Sequence, residues 1–365
     1  MLKFEPEEIL IERDCESTAM VRRLKAALPQ VPLKVVDPGR EQVTFAAPPA
    51  ADFGAAKKRL YIAKHKGDFL KKCPGSGGQV CCNYFVINFA SNCPMDCSYC
   101  YLQEYLAHNP ALKVFANVDD LLAEAEELLN KHRRYFFRIG TGEITDSLIL
   151  DPYIGFTREV VPFFAEQPNA LLELKTKSNC VEDLLTLDPK ERVVVSWSMN
   201  PQTVIDEEEH GTASLLERLQ AARLCQDAGY RLGLHFDPMI EYTDWERDYE
   251  KLVEQLFATV DWRRVSWLSL GVLRNTPGLK RAMRERLPRT RLLAAEQVPN
   301  PDGKLRYFQP LRIEMYRKML GWIRRSAPPT VKVYLCMESK HVWQEVFGYA
   351  PSCEKELGAQ LDPHV

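Results

Sequence analysis

The chain has 365 residues, 45% apolar and 27% charged, with a formal net charge of −2, which suits one large α/β domain with extensions or two modest domains and excludes a disordered polyelectrolyte. The balanced charge excludes a binder that grips nucleic acid by bulk charge, so any DNA must be held by local basic patches. With no signal-peptide core and no apolar run of membrane-spanning length, the protein reads as cytoplasmic, and its eleven cysteines read as metal ligands and catalytic thiols rather than a disulfide framework.

In chain order, EILIE (8–12) reads as a strand, Thr18 to Leu28 as a helix, and PLKVVD (32–37) as a second strand. APPAADFG (47–54) reads as a linker. From there strands and helices alternate. NYFVINFA (83–90) is a buried strand, followed by a helix capped by Asn117 with Val118, Leu121, Leu122, Ala125, Leu128 and Leu129 on one face. YFFRIG (135–140) precedes a helix over 152–165, and LLELKTK (171–177) and VVVSWSM (193–199) are further strands. Ser214 and Glu217 form a capping-box pair that opens a helix ending at Gly229. RLGLHFD (231–237), a helix over 245–258 and VSWLSLG (265–271) follow.

Six strand–helix units imply a parallel sheet with right-handed crossovers. Curled, it is a partial (β/α)6 TIM-like barrel whose site lies at the C-terminal strand ends. The expected division is an N-terminal α/β extension over 1–55, the barrel over 56–300, and a C-terminal module over 301–365. That module carries an Asp302–Gly303 turn, an amphipathic helix from Pro310 to Arg325, the strand VKVYL and a short final helix.

The chemistry concentrates in SNCPMDCSYCYLQ, which sets Cys93, Cys97 and Cys100 in C-x3-C-x2-C spacing just after the first barrel strand. Three thiolates so close can wrap one [4Fe–4S] cubane and leave one iron open. A zinc site needs a fourth ligand, and no His or Cys follows at suitable spacing. Gly140, Thr141, Gly142 and Glu143 end the second strand: glycines permit close backbone approach and a carboxylate accepts from an ammonium. Lys177 ends the third strand, and Ser198 and Asn200 the fourth; they suit carboxylate or ribose oxygens, though polar strand ends need no ligand.

The cysteine spacing after the first strand of a partial barrel resembles the radical S-adenosylmethionine (SAM) superfamily. The resemblance implies a fold of the radical SAM type, with SAM chelated at the open iron and cleaved reductively to a 5′-deoxyadenosyl radical. An external electron donor of the flavodoxin or ferredoxin type would supply the electron. It also implies that Gly142 and Glu143 meet the methionine amino group. The continuation Cys97-Ser98-Tyr99-Cys100-Tyr101-Leu102-Gln103 resembles the spore photoproduct lyase family more specifically. Thr176-Lys177, Ser198-x-Asn200 and GTASLLERLQAARLCQDAGYRLG agree with it, over residues 55–310.

That resemblance implies DNA repair: reversal of the methylene-bridged thymine dimer in UV-damaged DNA or a dinucleotide lesion, assisted by a tyrosine pair matching Tyr99 and Tyr101. Glu143 stands where the family's hydrogen-donating cysteine would fall. Cys336 is the first substitute, with burial as a small apolar residue the alternative; Cys81 and Cys82 come second. Cys73, Cys81 and Cys82 could also hold an auxiliary metal, although packing explains them as well. Lys57, Lys58, Arg59, Lys64, Lys66, Lys71 and Lys72 form a basic run, and Arg306-Tyr307 resembles a family hairpin that wedges into DNA. Two other readings stand: a related radical SAM enzyme with a different or shorter nucleic-acid substrate, and a non-catalytic iron–sulfur DNA sensor.

Overall fold

Val193–Ser198 and Val265–Val272 are buried at every position, and Ala170–Thr176 at all but one. Strands apolar on both faces need cover on both, as in a parallel sheet wrapped by helices. The computed structural model, which describes residues 4–39 and 49–362, supplies it. An eight-stranded sheet runs in the order Leu70–Lys72, Phe85–Ile87, Phe137–Gly140, Ala170–Thr176, Val193–Ser198, Arg231–Met239, Val265–Val272, Val333–Leu335. Every pairing is parallel except that of Leu70–Lys72. Helices including Val118–Lys131, Phe156–Ala165, Leu215–Asp227 and Trp245–Thr259 occupy the crossovers.

The sheet curls into a partial barrel. Trp267 Nε1 donates to Glu173 Oε1 at 3.3 Å, although their strands are three places apart in the sheet. A flat sheet would separate them by about 14 Å. Glu173 also accepts from Ser196 and Tyr84, each at 2.5 Å, and lies 2.7 Å from His235 Nε2, so one carboxylate gathers side chains across the curl.

Two boundaries fall differently from expectation. Ile9 pairs with Leu60 and Leu60 with Leu112, so a second sheet, ordered Leu33–Val36, Glu8–Glu12, Arg59–Ala63, Leu112–Phe115, Ala90–Ser91, crosses the division at 55. At the other end Val333–Leu335, expected in a separate module, becomes the barrel's seventh parallel strand by pairing with Leu268 to Leu270. Of the expected linker, residues 49–54 belong to the helix Pro49–Ala56 and residues 47–48 lie outside the described residues.

Local signals account for the helix ends. Ser214 accepts from the Glu217 amide while Glu217 accepts from the Ser214 amide, both halves of the capping box, and Gly229 follows the helix at φ +94°. Gly155, at φ +67°, divides the expected 152–165 helix into Asp151–Ile154 and Phe156–Ala165. Asn117 occupies the N-cap position, but its side chain accepts from the His65 amide instead of capping. The final segment forms two helices, Lys340–Phe347 and Glu354–Leu361, where one was expected.

Candidate active site

The cysteine loop leaves the first barrel strand and is fixed by its own backbone. Asn92, at φ +70°, accepts from the Cys93 amide at 2.8 Å and donates to Pro110 O. Cys100 N donates to Cys97 O at 3.1 Å, and Gln103 Nε2 donates to Ser98 O at 2.8 Å. Asp96–Cys97 forms a short antiparallel ladder with Glu209–His210.

The loop is bolted from outside as well. Asp96 takes Lys57 at 3.0 Å and both oxygens meet Arg286 at 2.9 and 3.0 Å, while Arg286 also donates to Gln103. Lys57 and Arg286 lie over the Phe53 ring at 4.6 and 4.8 Å. Lys57, expected in a phosphate-binding run, is therefore a buried brace. Lys58, Arg59, Lys64 and Lys72 of that run pair with Glu7, Glu8, Asp14 and Glu354, because acids of the N-terminal sheet and last helix face them.

Cys93, Cys97 and Cys100 share one electrostatic neighbourhood. Burial raises the Cys93 thiol to about 12, with Asp146 and Cys100 adding to the rise, and Cys97 is raised by burial with Glu209, Cys100 and Cys93 adding. Sulfurs on a single tetrahedral zinc stand about 3.8 Å apart; these three do not lie within 4.8 Å of one another as a set. The set is therefore not drawn together as ligands of one zinc ion, and three thiols on one braced loop are the number that a cubane with one open iron takes.

A buried network backs the loop. Tyr99 donates to Glu209, which also accepts from Asn200 Nδ2 at 2.8 Å and Arg218 Nη2 at 2.5 Å. Tyr249 donates to Asn200 Oδ1 at 2.6 Å. Burial alone would push the Glu209 carboxyl up, but Arg218 and Lys177, with hydrogen bonds from Tyr99 and Asn200, bring it down to about 2. Lys177 Nζ sits 5.7 Å over the Tyr99 ring, and its backbone is held by Asp146 Oδ2 at 2.7 Å. Ser198 is buried and its carbonyl accepts from Arg218 at 2.9 Å. Both ends of the Asn200 amide are thus engaged by protein, which makes it a positioning residue here.

Tyr101 faces the other way. It is 42% exposed, and its hydroxyl donates to Glu143 O at 2.9 Å, tying the cysteine loop to the second strand end. A Cβ on Gly142 would stand 2.8 Å from Lys175 Cβ and 2.9 Å from Lys175 O, so only glycine fits there. The half-buried Glu143 carboxylate is raised by burial and makes no hydrogen bond or ion pair among the described residues. A carboxylate without a protein partner beside a bare backbone suits an ammonium ligand.

The thiols expected to matter lie on the same sheet. Cys336 directly follows the seventh strand, its amide donating to Leu270 O at 2.9 Å, and burial raises its thiol with Asp237 adding to the rise. Burial raises Cys73 to about 11, and Glu143, Cys82 and Cys81 contribute to its field. Cys82 is deeper, against Arg138. No grouping of Cys73, Cys81 and Cys82 sulfurs within 4.8 Å occurs among the described residues.

The hairpin expectation needs correction. Val298–Pro299 and Leu305–Arg306 do form a hairpin, but it packs against Arg274–Asn275. Arg306 and Tyr307 are each 1% exposed. Arg306 is clamped on Asp302 at 2.6 and 2.7 Å, and the Tyr307 hydroxyl accepts from the Glu241 amide at 3.2 Å. In this structure both side chains are packed inside the fold and are not presented as a surface wedge.

Glu209, Arg218, Tyr249, Asp96 and Arg286 were missed from sequence. Nothing periodic marks them, and the contacts of Tyr99 with Glu209 and of Asp96 with Arg286 join residues remote along the chain.

Comparison with known proteins agrees with this geometry. The profile of the spore photoproduct lyase family matches residues 53–305. Curated spore photoproduct lyases from a Geobacillus strain and from Bacillus subtilis are 29% and 28% identical over 210 and 215 residues, which is 57% and 58% of this chain. Those matches take in 62% and 63% of the relatives, so the chain spans about three-fifths of their length. Among solved structures, a spore photoproduct lyase variant with bound AdoMet and dinucleoside spore photoproduct superposes with a TM-score of 0.80 at 24% identity, covering 92% of this chain and 99% of that one. A spore photoproduct lyase complexed with dinucleoside spore photoproduct gives 0.79 at 24% identity, covering 91% and 99%. With the profile matching well over half of its length, the chain belongs to the spore photoproduct lyase family.

Proposed function

We propose that the protein is a radical SAM lyase that returns the methylene-bridged thymine dimer to two thymines. The observation that carries the reading is the braced loop that holds three thiols and two tyrosines beside the unpartnered Glu143. Cys93, Cys97 and Cys100 would hold a [4Fe–4S] cluster, and Gly142, Glu143 and Lys177 would receive SAM beside it. When bound, cluster and SAM supply one-electron reductive cleavage that starts radical chemistry, with the electron from a ferredoxin- or flavodoxin-type donor.

The chain's own residues then divide the work. Asp96, Lys57 and Arg286 keep the thiols in register. Gly142 lets the ligand approach the backbone, and Glu143 accepts from its ammonium. Tyr99, fixed on Glu209, and Tyr101, fixed on Glu143 O, flank the reacting centre. A thiol returns the hydrogen. Cys336 lies at a strand end, but Cys73 has the stronger placement, because it shares a field with Glu143 and with Tyr101. Glu143 occupies the position where the family's donor falls.

The test is anaerobic incubation of the iron-loaded protein with SAM, dithionite and dinucleotide spore photoproduct. Thymidylyl-thymidine is the expected product. Deoxyadenosine formed without repair favours the second reading, a related radical SAM enzyme with another nucleic-acid substrate, for which Glu143 in the donor's place is the motive. A loaded cluster that leaves SAM intact leaves the DNA sensor.

A further inference from the structure

The segment from Pro277 to Arg291 carries six cations, Lys280, Arg281, Arg284, Arg286, Arg289 and Arg291, against one acid, Glu285, in a chain whose net charge is −2. Two of the six are used internally. Arg286 braces Asp96 and Arg291 pairs with Glu207. Lys280, Arg281, Arg284 and Arg289 make no side-chain ion pair or hydrogen bond among the described residues.

Their placement is not scattered. Pro277–Arg286 is a helix whose Leu279 and Met283 are buried. At 100° per residue, Lys280, Arg281 and Arg284 fall within one third of the circumference, centred about 130° from that apolar pair, with Arg281 and Arg284 exposed and Lys280 half-buried. Unpaired like charges on one face repel one another. The one acid, Glu285, borders Arg281 at i+4 without pairing to it among the described residues, whereas the N-terminal sheet supplies acids to the lysine run.

The helix is fastened to the cluster loop at both ends. Its cap Thr276 bonds Glu104, in the turn that carries Tyr101, and Gly278 packs so closely on Glu104 that a Cβ there would overlap the carboxylate. Arg286 at the far end holds Asp96. Beside the helix, Tyr101 and Tyr105 are 42% and 62% exposed with ring centroids 6.0 Å apart. Exposed aromatic rings next to a basic track are what a single strand uses, stacking for bases and cations for phosphates.

We propose that the outward face of Pro277–Arg286, formed by Lys280, Arg281 and Arg284 and continued by Arg289, binds the phosphates of the strand flanking the lesion, with Tyr105 as a stacking platform. The proposal rests on the lyase reading for the word lesion, but strand binding is measured without turnover. It predicts that a dinucleotide and a longer strand behave differently, because only the latter has flanking phosphates.

The experiment compares wild type with the K280Q/R281Q/R284Q triple variant, binding a lesion-free single-stranded oligonucleotide across 50 to 200 mM salt. Each phosphate contact adds about 0.7 to the log–log salt slope, so the triple variant should lower the slope by about 2. Wild type should then lose about 20-fold more affinity than the variant over that range. Dinucleotide repair with dithionite should stay within about twofold. A K280R/R281K/R284K variant, which keeps the charges, should keep the wild-type slope. An unchanged slope in the triple variant overturns the proposal, as does a matching loss of dinucleotide repair. So does intact strand binding with turnover lost only when an acidic flavodoxin replaces dithionite, which would give the face to the protein reductant. If wild type binds the strand steeply yet repairs no dinucleotide, the lyase reading falls and the binding face stands.

Discussion

The Tyr99 hydroxyl donates to the Glu209 carboxylate, and the Glu209 backbone pairs with Cys97 across a two-residue ladder. The tyrosine proposed for the reacting centre and a cysteine proposed as a cluster ligand thus share one residue on a different strand–helix unit. Arg218, fully buried, balances the Glu209 charge.

Glu209→Gln should therefore cost about 3–5 kcal/mol, the usual cost of leaving one partner of a buried pair unmatched. Tyr99→Phe keeps the Glu209–Arg218 pair and removes one donor, for about 1–3 kcal/mol. Urea unfolding of the three proteins should rank wild type above Tyr99→Phe above Glu209→Gln. A Glu209→Gln protein as stable as wild type would mean that Arg218 finds another acceptor.

Asp96→Asn tests the brace. It removes the charge that Lys57 and Arg286 share while changing none of the three loop cysteines. Loss of a partner that orients ligands lowers metal affinity by roughly 10–100-fold. Iron retained per chain after dilution and gel filtration should fall, with little change in the far-UV circular dichroism. Full iron retention would show that the Asn92 and Gln103 hydrogen bonds suffice to shape the loop.

The parts of the site legible from sequence were those set by short spacing. Cys93, Cys97 and Cys100 lie within eight residues, and Ser214 and Glu217 three apart, so chain geometry alone brings each set together. The six barrel strands were legible because short runs rich in apolar, β-branched and aromatic residues alternate with helical stretches. What was not legible depends on closure of the barrel. Glu209 meets Tyr99 across 110 residues and Arg286 meets Asp96 across 190, and neither has a periodic signature. Arg306 and Tyr307 illustrate the converse. A basic–aromatic pair at a turn reads as surface, yet Asp302 and the Glu241 amide supply the partners that let both be buried.

Gly142→Ala separates ligand binding from cluster assembly. The new methyl would press on Lys175 Cβ and its carbonyl at 2.8 and 2.9 Å, and neither atom is the free end of a flexible chain. Backbone displacement of this kind costs about 1–3 kcal/mol. SAM affinity, measured calorimetrically on loaded protein, should fall by about tenfold or more while iron content stays at the wild-type level. Equal SAM affinity would move the binding contact away from this strand end.

Asp302 gives a pH signature for the hairpin. Its side chain is 3% exposed, and the hydrogen bonds and charge of Arg306 hold its carboxyl down at about 2. A depressed acid stabilises the fold above its unfolded value near 3.8 and loses that contribution as pH falls towards 2. The pH-dependent part is about 2 kcal/mol. The stability difference between wild type and Asp302→Asn should be constant above pH 5 and shrink by about that amount down to pH 2. A flat difference across this window would show that Arg306 does not set the Asp302 ionisation.

The hydrogen donor is the remaining assignment, and two single variants divide it. A thiol that returns hydrogen to a product radical must lie at the strand ends where Tyr101 and Glu143 meet, and Cys73 contributes to the field at Tyr101 as Glu143 does. Cys336 sits beside Asp237 and Arg274, just after the strand at the other edge of the curled sheet, which the Cys73 segment reaches where Val80 bridges Glu338. Removing the true donor leaves initiation intact and starves termination. With dinucleotide substrate, Cys73→Ala should still consume SAM, at a rate within a few-fold of wild type, but divert product into trapped adducts and uncoupled deoxyadenosine. Cys336→Ala should keep the wild-type partition, since its buried thiol would then be a small apolar filler whose loss costs stability alone. The reverse pattern would make Cys336 the donor. Wild-type partition in both variants and in the double variant would remove these two thiols from the reaction and leave Cys81, Cys82 or a tyrosine hydroxyl, Tyr99 or Tyr101, to deliver the hydrogen.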